Sequence, residues 1–153
     1  MISSDRILSY FATSLTHDDE RIHRHLIGAD AGQQVWEALC ILVAMRTWAT
    51  HWLGCQCTLT IKSDNISALV MASKLKVTSS ELISQELALI LSEASYMPRH
   101  VVHVPGAMNA WADALSRLDD PTHHYVVPAA LREVPRATPS PRTSSFYSTL
   151  AHT

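Results

Sequence analysis

From Gln33 to Trp52 the chain carries apolar side chains on almost every side of one helix, and this stretch constrains the fold more than any other. Trp36, Leu39, Cys40, Val43 and Thr47 recur at helical spacing, and Ile41, Met45 and Trp48 widen the apolar face. Roughly five turns are predicted, ending near Trp52 with Gly54 just beyond as a stop. Such a helix must be covered on several sides and belongs at the centre of a domain. It does not read as a membrane span, because Glu37, Arg46 and His51 interrupt the most apolar run, Val35 to Leu53.

The flanking segments switch between strand and helix periods. Arg6 to Ala12 is short and rich in aliphatic and aromatic residues, which predicts a strand. Leu15 to Glu20 is polar and reads as a turn, and Ile22 to Ala31 is ambiguous, punctuated by Gly28 and Gly32. Over Cys57 to Ser63, Leu59 and Ile61 alternate with Thr58, Thr60 and Lys62, the period of a strand. Asp64-Asn65 ends it, and a helix begins over Ile66 to Ser73. Thr78-Ser-Ser-Glu81 has the form of a capping box for a helix reaching about Ala94, with Ile83, Leu87, Ile90 and Leu91 on one face. Pro98 breaks the chain, Arg99 to Val104 is a valine-rich strand, and Pro105-Gly106 is a turn. Asn109 to Leu118 is the last helix, capped by Asn109, with Trp111, Leu115 and Leu118 facing inward. Strands alternating with helices predict an α/β fold with a partly parallel sheet.

After Leu118 the character changes. Pro121, Pro128, Pro135, Pro139 and Pro141 fall among Thr, Ser and Arg, a composition expected to bury little. The expected division is a domain over 1–118 and a linker or disordered tail over 119–153. At 153 residues and 47% hydrophobic, the chain has apolar material for one core. A formal net charge of -2 lends no support to a dedicated nucleic-acid binder, but an enzyme acting on nucleic acid needs only a local basic groove. Three cysteines with one Cys55-x-Cys57 pair are no disulfide framework and lack a second pair for zinc; Cys40 reads as core. Reduced thiols fit an intracellular protein, and Met1 to Tyr10 does not read as a signal peptide. His17, His23, His25, His51, His100 and His103 lack metal-ligand spacing and read as solvated. Lys62, Lys74, Lys76 and Arg99 read as solvated surface, and Trp36, Trp48, Trp52 and Trp111 as core rather than base-stacking platforms.

Three acids stand out by placement. Glu37 lies in the first turn of the long helix, Asp64 at the carboxyl end of a strand, and Asp113 one turn after Asn109. Each has a plain reading: Glu37 favours the positive end of its helix, Asp64 caps the next one, and Asp113 is solvated. Ligands of open α/β sheets nevertheless gather beyond the carboxyl ends of strands, where Asp64 stands.

The surrounding residues resemble a family. Gln34-Val-Trp-Glu37-Ala-Leu is similar to the helix carrying the second catalytic acid of retroelement ribonuclease H domains. Ser63-Asp64-Asn65-Ile-Ser-Ala-Leu69 resembles the strand end with the third. His103-Val-Pro-Gly-Ala-Met-Asn109-Ala-Trp-Ala-Asp113-Ala-Leu-Ser-Arg117 resembles the closing motif, the most specific of the three matches. They occur in the family's order, over roughly Ile7 to Leu118. The resemblance points to the reverse transcriptase polyprotein of an LTR-type (gypsy-like) or DIRS-like retrotransposon. It implies a ribonuclease H-like fold, a mixed sheet with flanking helices. The implied activity is hydrolysis of the RNA strand of RNA–DNA hybrids by two magnesium (or manganese) ions about 3.5–4 Å apart. Glu37, Asp64 and Asp113 would then be catalytic metal ligands, and Asn65 and Asn109 would lie on the substrate side, with Asn109 chiefly orienting the last helix. The implied partners are the hybrid and a polymerase domain upstream, with no membrane.

The departures are equally specific. The family's first strand carries a metal-bridging aspartate in a Thr-Asp-Ala-Ser-like run, and nothing here matches it. Arg6 to Ala12 resembles the family's second strand, which puts Asp5 in a hairpin turn. The expectation is therefore a domain lacking its first strand, weak or inactive alone, and marginally stable because a sheet edge is left open. The alternatives are a non-catalytic tether or protein-interaction module of the same fold, and a decayed element. The Asp64 to Asp113 connection also leaves no room for the extra basic helix of some cellular relatives, and Gly106 to Asn109 lacks their histidine loop.

Overall fold

The apolar helix expected from Gln33 onward is the axis of the structure. A computed structural model describes residues 1–3, 5–52, 57–66, 69–70, 82–85, 87, 100–106, 109–122 and 124–147. In chain order the elements are β1 (Ile2–Ser3), β2 (Arg6–Ile7), α1 (His17–His23), α2 (Gln33–Thr47), β3 (Thr60–Ser63), β4 (His100–His103) and α3 (Ala110–Ser116). Short 3-10 turns fall at Asp30–Gly32, Ala49–His51, Ala129–Leu131 and Ser144–Phe146. The architecture is mixed α/β, with one antiparallel and one parallel strand pair. The single mixed sheet expected from the sequence is not what the described residues form: β1–β2 and β3–β4 are separate two-stranded sheets.

α2 buries Val35, Trp36, Ala38, Leu39, Leu42, Val43 and Met45, and around them gather Trp52, Ile83, Leu87, Phe146 and Tyr147. Full burial of a Leu or Val side chain contributes about 1.5–3 kcal/mol, so this helix dominates the stability of the core. Its start is sterically tight: a Cβ on Gly32 would stand 2.7 Å from Trp36 Nε1. Helical structure stops at Thr47 and continues as the Ala49–His51 turn, so the expected reach to Trp52 is divided between two elements. No helix of the described residues is long and apolar enough to cross a membrane.

β3 and β4 pair in parallel with Thr60 opposite His100 and Ser63 opposite His103. Parallel strands need a crossover. Among the described residues of the connection, 66, 69–70, 82–85 and 87 are helical, as the periodicity predicts. The capping box at Thr78–Glu81, the helix end near Ala94, Ile90, Leu91, Lys74, Lys76, Cys55, Pro98 and Arg99 lie outside the described residues.

Several expectations are corrected. Leu15 to Glu20 is not a turn but leads into α1. Thr16 is the N-cap, its hydroxyl accepting from Asp19 N at 3.2 Å while Asp19 Oδ2 accepts from Thr16 N at 2.8 Å. This is a capping box with Asp in the place Glu or Gln usually takes. Of the Arg6–Ala12 strand only Arg6 and Ile7 pair with β1; Tyr10 instead bridges Arg136, near the other end of the chain. Asp5 does sit in the hairpin turn, at φ 63°. Glu37 lies beyond the first turn of α2, which holds no acid. Trp111 is 45% exposed and α3 buries no residue. Cys40 is exposed on α2, and His23, expected in solvent, is buried.

The segment over 119–153, expected to bury little, contributes Leu131, Arg142, Phe146 and Tyr147 to the buried set. Arg142 is the anchor. Its Nε donates to both carboxylate oxygens of Asp19 at 3.0 Å, and its Nη2 donates to Asp19 Oδ2 at 2.9 Å. Its Nη1 donates to Thr13 Oγ1 at 3.2 Å and its Nη2 to the Ser14 carbonyl. The side chains of this ion pair are 5% and 0% exposed. Burial alone would push the Asp19 carboxyl up, but the Arg142 and Thr16 hydrogen bonds and the guanidinium charge outweigh it and hold Asp19 below its ordinary value. Removing one partner of a buried, hydrogen-bonded ion pair costs about 3–5 kcal/mol, because the other charge is stranded. Arg142→Met is therefore expected to lower the urea midpoint strongly, and adding Asp19→Asn to recover part of the loss. Equal midpoints for wild type and Arg142→Met would show that the pair is not formed.

Candidate functional site

The three acids singled out by the sequence are on described elements. Glu37 is on α2, half-buried, with Gln33 Nε2 donating to its Oε1 at 3.2 Å. Asp64 follows the last residue of β3, exposed at the carboxyl end of the parallel pair. Asp113 is on α3, about half exposed.

One of these acids acts on another. The Glu37 carboxyl is pushed above its ordinary value, first by burial and then by the negative charge of Asp64, with the Gln33 hydrogen bond opposing. Two carboxylates from different elements are thus close enough for the charge of Asp64 to disfavour ionisation of Glu37. Asp64 is held from the opposite strand. His103, the last residue of β4, places Nε2 3.2 Å from the Asp64 carbonyl, and the N–H must donate because the carbonyl only accepts. Asp64 Oδ2 also lies 3.6 Å from where a Cβ on Gly106 would be, so the turn of the closing motif packs under this carboxylate. The next helical segment begins after Asn65: Leu69 N donates to the Asn65 carbonyl at 3.1 Å. Asn65, rather than Asp64, thus occupies the capping position.

Asp113 is engaged elsewhere. Arg117 Nη2 lies 2.9 Å from Asp113 Oδ1 and Arg117 Nε donates to the same oxygen at 3.0 Å, one helical turn on. Asn109 stands at the N-cap position of α3, its carbonyl accepting from Asp113 N at 3.0 Å, but its side chain makes no capping bond. Among the described residues no three His, Cys, Asp or Glu side chains converge as a metal-holding group. The charge of Asp64 therefore reaches Glu37, whereas Asp113 is paired with Arg117. A surface depression of about 430 Å³ is lined by Arg46, Ser140, Pro141, Thr143, Ser145 and Phe146 and contains none of these acids.

Sequence reasoning missed the part played by His103. It was placed as an ordinary strand residue, yet its register opposite Ser63 puts its ring beside the Asp64 backbone. The available signal was that both strands end at a candidate site residue or turn. The Asp113–Arg117 pair also had a signal, the i,i+4 spacing of opposite charges on a helix.

The oxygen donors of Glu37 and Asp64 fit a hard divalent cation, which takes one or two carboxylates and keeps several waters. The two-ion set does not follow, since Asp113 is not brought to the pair. Compared with known proteins, the chain matches no family model, no curated protein and no solved structure.

Because Asp64 is one of the two causes that raise Glu37, Asp64→Asn is expected to lower the Glu37 titration midpoint. Carboxyl carbon NMR across the acid range checks this, and an unchanged midpoint would separate the two groups. The linked stability has a definite sign. Glu37 has a raised value in the fold, so its ionisation weakens the fold as pH rises through its ordinary 4.5 towards the raised value. Glu37→Gln should therefore raise the melting temperature at neutral pH and leave it unchanged below about pH 4.

Proposed function

We propose that the chain is a ribonuclease H-like domain of a retrotransposon reverse transcriptase polyprotein. Its ancestral reaction is metal-dependent hydrolysis of the RNA strand in RNA–DNA hybrids. The observation that carries this reading is that Asp64, at the carboxyl end of a parallel strand pair, lies where its charge helps raise Glu37 of α2. Those acids come from the helix and the strand end whose sequences resemble the family, and a like-charged pair of this kind invites a cation between them. Magnesium or manganese, held by Glu37 and Asp64, would supply charge neutralisation and a bound water. Asn65, the residue after Asp64, and Asn109, before α3, would lie on the substrate side. The substrate would be recognised through its backbone and 2′-hydroxyls. The partner in cis is a polymerase domain.

No residue of the chain matches the family's first-strand aspartate, so hydrolysis by the chain alone is expected to be weak or absent. A non-catalytic tether or interaction module of the same fold is the second reading, favoured by the Arg117 guanidinium that already neutralises Asp113.

Metal binding and turnover separate these readings. Isothermal titration with magnesium and with manganese should show one site that weakens at least tenfold in Asp64→Asn, alongside slow or no cleavage of a labelled hybrid. Failure of either ion to bind would remove the proposal. Fast magnesium-dependent cleavage abolished by Asp64→Asn would instead show that the chain needs no further acid.

A further inference from the structure

The Asp19–Arg142 pair does not stand alone. Tyr147 OH donates to Asp19 Oδ1 at 3.2 Å, and His23 Nε2 lies 3.2 Å from the same hydroxyl. All four side chains come from only two segments, α1 and residues 142–147. Proton counting fixes the direction of the chain. The Tyr147 hydroxyl has one hydrogen, and it goes to Asp19. The hydroxyl oxygen must then accept from His23, so Nε2 carries the hydrogen and Nδ1 of the neutral ring is the bare nitrogen. The relay runs from His23 to Tyr147 to Asp19, and Arg142 closes it from the other side.

We propose that this cluster is a proton-operated latch, which seats residues 136–147 as a strap across α1 and α2 while His23 is neutral and loosens it when His23 is protonated. The charges around the ring decide the sign. Asp19, one turn earlier on α1, is already neutralised by Arg142 of the strap. His25 lies in the turn that follows, and its charge opposes a cation on His23. α2 contributes the Trp36 ring, edge-on at 6.0 Å, and Arg46, whose charge bears on Tyr147 and whose guanidinium lies 4.4 Å from the Phe146 ring centroid. The buried pair Asp19–Arg142 thus carries one negative and one positive charge at neutral pH, while Asp18, Glu20 and Arg21 of α1 and Arg136 of the strap are not buried, and a proton on Nδ1 adds a buried charge without a counterion. In keeping with this, burial holds His23 below its ordinary value, with His25 adding to the effect and Asp19 opposing it. A histidine lowered in this way stabilises the seated strap fully above its ordinary 6.5, and the contribution is lost as pH falls below that towards the lowered value. Asp19 stays ionised across the same range, because the fold holds it below its own ordinary value. The strap is also the lighter part of the core, supplying Phe146 and Tyr147 against seven buried side chains of α2.

Hydrogen exchange read by mass spectrometry on the full chain, corrected for the intrinsic pH dependence of exchange, tests the latch. Between about pH 7.5 and pH 5.5, protection of residues 136–147 should fall while that of α2 holds, by about tenfold for each unit the fold lowers His23. His23→Gln keeps an N–H for Tyr147 and cannot be protonated, so its strap protection should be flat over the same range. Three results overturn the proposal: wild-type protection unchanged at pH 5.5, strap and α2 losing protection together, or His23→Gln falling as wild type does. Should His23→Gln fail to fold, the comparison of strap with α2 in wild type decides alone.

Discussion

A helix that is apolar on nearly every side must be covered on nearly every side, and the rest of the structure follows from how α2 meets that demand. Two-residue and four-residue strand pairs cannot do it. The remaining cover comes from the crossover residues Ile83 and Leu87 and from Phe146 and Tyr147, more than a hundred positions along the chain from the start of α2. Covering a core with a segment so rich in Pro, Ser and Thr needs a strong local tether, since the segment has little apolar surface of its own. The buried Asp19–Arg142 pair is that tether. It spends most of the donor capacity of one guanidinium on a single carboxylate, a hydroxyl and a carbonyl, which is what makes burial of two charges tolerable.

The same molecule treats its other acids differently. Asp19 is buried, fully partnered and driven below its ordinary value. Glu37 is half-buried beside Asp64 and driven above it. One arrangement lowers the energy of the charged state and the other raises it. Natural sequences mostly agree with local rules and depart from them at functional sites. The Glu37–Asp64 departure involves a strand end already singled out by motif, and that coincidence is the physical content of the proposed hydrolytic ancestry.

What was legible in the sequence was periodic. α2, β3 and β4 appear where spacing put them, because each repeats its pattern long enough to stand above the background. α1 was not legible as a helix. Its residues His17–His23 are polar, and the capping box uses Asp19 rather than Glu or Gln, so the stretch looks like a turn until the Thr16 and Asp19 geometry is seen. Trp111 was misplaced for the opposite reason: helical spacing says which residues share a face, not whether anything packs on that face. The strap was least legible of all. Its composition describes what the segment lacks in apolar area, whereas its seat depends on one residue, Arg142, meeting a partner 123 positions away.

The site shows the same limit. Glu37 and Asp64 stand out as members of motifs, and the effect of Asp64 on Glu37 required the fold. Asp113 was found by the most specific motif and yet lies with Arg117, because an i,i+4 pair on an exposed helix forms whatever the rest of the chain does. Such a pair contributes only about 0.3–0.5 kcal/mol. A cation held by Glu37 and Asp64 would relieve the like-charge effect that Asp64 exerts on Glu37.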